Sequence, residues 1–208
     1  MTSKNSIFIW IPKCAGTTIA RTVKKHKVLI ETTNNPKFSL PSTDKAYDNY
    51  FKFCFVRNPW DRTVSNWKMF STWRKPHGAK NLSFPQFISF LHEEVELKQI
   101  KAIDWGKNAK NINHRYAMRN HSASFLNPFY QAFDENQNVL VDFIGRFESL
   151  QEDFNKICEI INIPLVKLPH HNSTKRKHYS EYYNKETREM VRQRYARDIE
   201  YFGYEFEE

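Results

Sequence analysis

Glycine is scarce in this 208-residue chain, at five positions, and cysteine is scarcer, at three. So little glycine, with nine prolines, excludes a collagen-like repeat or a flexible Gly-rich architecture. Cys14, Cys54 and Cys158 form no CxxC pair and no even set. They therefore suggest neither a disulfide framework nor a zinc site, and a reducing compartment is expected. No apolar run approaches the roughly 20 residues that a bilayer crossing requires. The apolar stretch near the start, Ile7 to Ile11, is too short for the core of a signal peptide and runs straight into Pro12-Lys13, so it reads as a first strand. These absences predict a soluble, cytoplasmic protein. Acidic residues are also in deficit, 23 against 32 lysines and arginines, and the resulting net charge of +9 favours an anionic partner: a nucleotide, a glycan, a nucleic acid or a membrane surface.

What is present argues for one folded domain spanning 1–208. Hydrophobic residues make up 40% of the chain and aromatics 15%, too much for a disordered segment. Ile7-Phe8-Ile9-Trp10-Ile11 is a continuous apolar run, the pattern of a strand covered on both faces in a parallel sheet. Thr17 to His26 has helical spacing and a basic end. Val28-Leu29-Ile30 and Phe53-Cys54-Phe55-Val56 read as further strands, so strand, helix and strand recur as in an α/β fold. Asn58-Pro59 supplies a cap and a first-turn proline for a helix carrying Trp60, Val64 and Trp67. Phe84 to Leu97 predicts another helix. Ile100 to Asn127 is polar and has no clean period, and the segment from about 70 to 135 is expected to be an insertion shaping a substrate cleft. Beyond it come strand signals at Val139-Leu140-Val141 and Phe143-Ile144, a helical stripe of Leu150, Phe154, Ile157 and Ile161, and a last helix over about Glu186 to Ile199.

The turn after the first strand, Pro12-Lys13-Cys14-Ala15-Gly16-Thr17-Thr18, opens directly into a helix. Free amides at a helix start, a glycine for close approach, two hydroxyls and a lysine together suit a phosphate-like anion. The same residues would also make an ordinary turn in which Thr17 caps the helix and Lys13 is solvated. The Walker pattern is absent because the lysine precedes the glycine, which argues against an ATP-dependent phosphotransferase. The third strand runs into Arg57-Asn58-Pro59-Trp60-Asp61-Arg62-Thr63-Val64-Ser65. Arg57 at that strand end and Lys13 after the first can both face the carboxyl edge of the sheet. Pairing of Arg57 with Asp61 or Asp44 is the structural alternative. Asp61 and Arg62 read as scaffold.

The pair IPKCAGTT and FVRNPWDRTVSNW resembles the two cofactor signatures of sulfotransferases that use 3′-phosphoadenosine 5′-phosphosulfate (PAPS), in particular the Golgi-type carbohydrate superfamily and its bacterial and viral members. The stretches Val141 to Glu148 and Asp198 to Tyr204 are similar to segments of the same group. The resemblance implies a three-layer P-loop-like α/β fold with a mainly parallel sheet between helices. It also implies in-line transfer of a sulfuryl group to a hydroxyl, expected to be on a carbohydrate, releasing adenosine 3′,5′-bisphosphate without a metal. By the same resemblance, Lys13, Cys14, Ala15, Gly16, Thr17 and Thr18 hold the 5′-phosphosulfate, Arg57 and Ser65 hold the 3′-phosphate, Phe147 stacks on adenine, and Lys175 and Arg176 close over the cofactor from a late basic loop. Phe147 as a core residue at a strand end is the alternative.

Lys13 would also be catalytic, stabilising the leaving oxygen. For the general base, the resemblance points to the end of the second strand, where Glu31 stands in place of the histidine of some relatives; His121, in the cleft segment, is the second candidate. Most of the eight histidines, His114 included, are expected to be bystanders, and His170-His171 lacks a further ligand at metal-binding spacing. Tyr179, Tyr182, Tyr183 and Tyr195 read as helix packing rather than a sugar platform. The alternative to a sulfotransferase is a nucleic-acid-binding or nucleotide-binding module without transfer activity, although no nucleic-acid partner is expected.

Overall fold

In a computed structural model of the chain, residues 4–26, 28–32, 47–72, 82–93, 132, 138–169 and 176–208 are described. They fall into two compact units, one comprising residues 1–57 and 128–173 and the other 58–127 and 174–208.

The first unit is built on a four-stranded sheet. Strand β1 (Ser6–Trp10) is followed by helix α1 (Gly16–Val23) and a 3₁₀ turn over Lys24–His26. Strands β2 (Leu29–Thr32), β3 (Phe51–Val56) and β4 (Phe143–Arg146) then complete the order β2-β1-β3-β4, with every pairing parallel. This is the expected α/β architecture. Parallel strands sheltered on both faces favour apolar side chains on both, which is why SIFIW and FKFCFV, polar only at Ser6 and Lys52, lack the alternation of a half-exposed strand. Phe8 stacks on Phe53 with ring centroids 5.3 Å apart. Phe55 lies against Gly145, its partner in the β3–β4 register, where an added Cβ would stand 2.5 Å from the ring. β2 reaches beyond the Val28-Leu29-Ile30 run because backbone pairing with β1 recruits two polar residues, setting Glu31 beside Ile9 and Thr32 beside Trp10.

A helix after β4 completes this unit. α4 (Leu150–Ile160) buries Phe154, Ile157 and Cys158 on one stripe and ends at Asn162, whose φ of 56° makes the left-handed stop that asparagine tolerates. Asp153 ties this helix to β4. Its Oδ2 accepts the Arg146 backbone N–H at 2.9 Å and the Ser149 hydroxyl at 2.7 Å, and its Oδ1 accepts from Lys156 Nζ at 2.8 Å. Burial pushes the carboxyl pKa up, but these donors outweigh it and hold it below the usual value of 3.8. A folded pKa below the unfolded one means that the stabilisation is present above about pH 4 and is lost as pH falls through the folded value. Asp153→Ala should therefore lower stability by about 1–3 kcal/mol at pH 7. Urea titrations should show that deficit shrinking below pH 4.

The second unit holds α2 (Pro59–Thr72), α3 (Phe84–Glu93), α5 (Lys185–Arg194) and α6 (Ala196–Phe202). Asn58 caps α2, its Oδ1 accepting the N–H groups of Trp60 at 3.1 Å and Asp61 at 3.4 Å, and Pro59 takes the first helical position where no N–H is needed. Asn184 and Thr187 form a capping box on α5. The single terminal helix read from the sequence is two helices parted at Tyr195. The tyrosines are packing residues, as expected. Tyr179 and Tyr195 are buried, Tyr183 donates to the Trp60 carbonyl at 2.9 Å, and Tyr182 meets the Trp67 ring edge-on.

Candidate functional site

The sheet order sets where a site can form. From β1 the chain passes to β2 on one side, and β3 lies on the other, so β1 and β3 flank the point at which the winding direction reverses. Loops leaving the carboxyl ends of two such strands diverge and leave a crevice between them. Residues 11–15 follow β1, and Arg57 follows β3.

Within the first of these loops, Lys13 has φ 70° and Ala15 has φ 62°. Neither is glycine, and left-handed backbone costs an L-residue about 1–2 kcal/mol. Ala15 is the N-cap of α1, and Gly16 is its first residue. A left-handed residue followed by a helical one is the backbone pattern of an anion nest, in which successive N–H groups converge. The helix start carries no side-chain cap and no acidic residue in its first turn, so its positive dipole end is not neutralised from within α1. Thr17 is not the cap. It is the second helical residue and half-buried, whereas Thr18 is buried and its carbonyl accepts from Thr22 Oγ1 at 2.9 Å.

The structure gives Gly16 a reason that the sequence did not show. A Cβ there would stand 2.0 Å from Trp10 Nε1, because the indole at the end of β1 lies against the loop. Trp10 is thus a wall of the site that the motif reading missed. Its position at the end of β1, just ahead of Ile11-Pro12, was the available signal. Beneath the loop, Cys14 and Cys54 are both fully buried. Burial, then the nearby Cys14, pushes the Cys54 thiol far above its ordinary range, so it stays neutral there.

Arg57 is buried, at 7% exposure, yet it reaches the loop: Nη1 donates to the Lys13 carbonyl at 3.0 Å. Its guanidinium carbon sits 3.8 Å from the centroid of the Phe147 ring. Lys13, Arg57 and Phe147, singled out separately in the sequence, are therefore one assembly. In the second unit, Arg176 forms an ion pair with Asp61 of α2, both side chains about one-sixth exposed. Ser65 lies one turn along from Asp61 on the same face of α2, and it is half-buried. Asp61 thus serves as the anchor for Arg176, and Arg62 is buried with its guanidinium 5.9 Å from the Tyr195 ring, a scaffold position. Of Glu31 the structure gives the place in β2, paired with Ile9. His121 and Lys175 lie outside the described residues, as do Asp44, His114, His170 and His171.

The residues of the first unit suit the doubly anionic end of a phosphosulfate: two left-handed residues leading into a helix start that has no side-chain cap and no acidic residue in its first turn, a lysine, and a buried arginine hydrogen-bonded to the loop. Among the described residues, no helix is long and apolar enough to cross a membrane. Residues 2–205 match the family model described as the sulfotransferase family. A protein of Archaeoglobus fulgidus, itself uncharacterized, is 31% identical over 120 residues, which is 58% of this chain and 74% of that one. No solved structure gives a significant match. With that match running nearly from end to end over a fold built on a parallel sheet, the chain belongs to the sulfotransferase family, PAPS-dependent enzymes that pass a sulfuryl group to an acceptor.

Proposed function

We propose that this enzyme sulfates a carbohydrate hydroxyl, with the loop from Lys13 to Thr18 holding the 5′-phosphosulfate of PAPS. The observation that carries the donor site is the uncapped start of α1, preceded by left-handed Lys13 and Ala15, at the sheet's reversal point. When bound, the cofactor supplies the sulfuryl group and a phosphate leaving group. Backbone N–H groups of Gly16, Thr17 and Thr18 would orient its anionic oxygens, and the Lys13 ammonium would neutralise charge gathering on the bridging oxygen. Arg57 and Ser65 are assigned to the 3′-phosphate, and Lys175 and Arg176 to closure over the nucleotide. Glu31 is the first candidate to take the acceptor's proton and His121 the second. The carbohydrate acceptor is supported by the likeness of IPKCAGTT and FVRNPWDRTVSNW to carbohydrate sulfotransferases, and the net charge of +9 suits an anionic glycan.

Calorimetric titration of adenosine 3′,5′-bisphosphate at fixed salt tests the donor site. One-to-one binding in the range of about 1–100 µM is expected, weakened about tenfold or more by Arg57→Ala. Oligonucleotide binding that adenosine 3′,5′-bisphosphate does not displace, with no binding of the bisphosphate itself, would overturn the assignment. Transfer of labelled sulfate from PAPS to a glycan panel, with phenols and small alcohols run beside it, tests the acceptor. Labelling confined to the phenols or alcohols would sink the carbohydrate reading.

A further inference from the structure

We infer that Phe147 is a positioning residue for the donor site, acting through Arg57 on the backbone of Lys13; the inference rests on the donor-site reading above. The Phe147 N–H donates to the Val56 carbonyl at 2.8 Å, continuing the β3–β4 pairing by one residue past Val56–Arg146. That bond holds the ring beside the carboxyl end of β3, next to the residue whose guanidinium it receives. The guanidinium carbon lies 3.8 Å from the ring centroid, inside the range of a cation–π contact, and the half-buried ring restricts the plane in which the buried guanidinium can lie. From that plane Nη1 reaches the Lys13 carbonyl at 3.0 Å. Lys13 is one of the two left-handed residues of the loop, so the carbonyl that Arg57 grips belongs to a backbone conformation that a lysine adopts only under constraint. The ring face, the guanidinium and the carbonyl thus form one brace from β4 through β3 to the turn after β1.

This role differs from stacking on a base. A residue that touches adenine affects only ligands that carry adenine, whereas one that acts through Arg57 affects every ligand held by the loop and the arginine. The test is calorimetric titration of adenosine 3′,5′-bisphosphate and of base-free ribose 3,5-bisphosphate into wild type, Phe147→Leu and Phe147→Tyr, with thermal unfolding followed in parallel. Phe147→Leu should weaken both ligands by the same factor, roughly five- to thirtyfold, the range expected for loss of a cation–π contact to a buried guanidinium. Phe147→Tyr, which keeps the ring face, should restore both to within about twofold. A loss confined to the adenine-bearing ligand would overturn the positioning role in favour of direct stacking. An unchanged affinity in a folded Phe147→Leu would overturn it outright. If Phe147→Leu does not fold, Phe147→Met takes its place under the same criteria. Failure of wild type to bind either ligand would instead remove the donor-site reading on which the inference stands.

Discussion

Lys13→Ala should lower kcat for sulfuryl transfer by about 10²–10³-fold while changing KM for PAPS much less. The split follows from where the charge is. On the proposed donor site the amides of Gly16, Thr17 and Thr18 would already meet the anion in the ground state, whereas the charge on the bridging oxygen would grow only as the bond to sulfur breaks. A single preorganised cation at that oxygen acts mainly on the barrier. Lys13→Gly provides the control, because Lys13 sits at φ 70°, where glycine is unstrained. The glycine variant should be at least as stable as the alanine variant and equally inactive. Steady-state rates with labelled PAPS check both. Parallel rises in KM with kcat preserved would show that the lysine only helps bind, and would return the barrier to other groups.

The second large effect should come from Gly16→Ala. The added methyl would stand 2.0–2.3 Å from three atoms of the Trp10 indole, closer than any relaxed contact allows. Overpacking of this kind typically costs about 1–3 kcal/mol, and either the indole or the loop must yield. If the loop yields, the amides no longer converge, and affinity for adenosine 3′,5′-bisphosphate should fall by about 10²-fold, the order of effect that a 1 Å misplacement produces in a positioned site. Trp10→Ala in the same chain should recover part of that loss, because it vacates the volume that the methyl needs. A coupling between the two substitutions of about 0.5–3 kcal/mol in a double-mutant cycle, read from both unfolding and ligand titration, is the expected result. Strict additivity would mean that the indole is not what excludes a side chain at Gly16.

These two sites illustrate different kinds of sequence signal. Gly16 stood out in the sequence because a glycine ahead of a helix start is a familiar phosphate-loop feature, but the reason given there was room for a ligand oxygen. The structure adds a second reason, the indole of Trp10, which no local pattern announces. Lys13 was legible as a charge at the loop, while its left-handed backbone and the hydrogen bond from Arg57, 44 residues away, were not.

The elements themselves were determined largely by local chemistry. β1 and β3 are apolar at all positions but Ser6 and Lys52, because a parallel strand covered on both faces has no solvent side to impose an alternating polar pattern. The start of α2 was written in Asn58-Pro59, since a cap needs only a side-chain acceptor and a proline that donates no N–H. Tertiary structure decided what depends on partners distant in sequence. It drew Glu31 and Thr32 into β2, because pairing with Ile9 and Trp10 satisfies their backbone whatever their side chains. It also split the last helix at Tyr195. It joined Phe147, Arg57 and Lys13 into one brace, because ring stacking and a hydrogen bond to a carbonyl obey geometry in space and leave no periodicity in the chain.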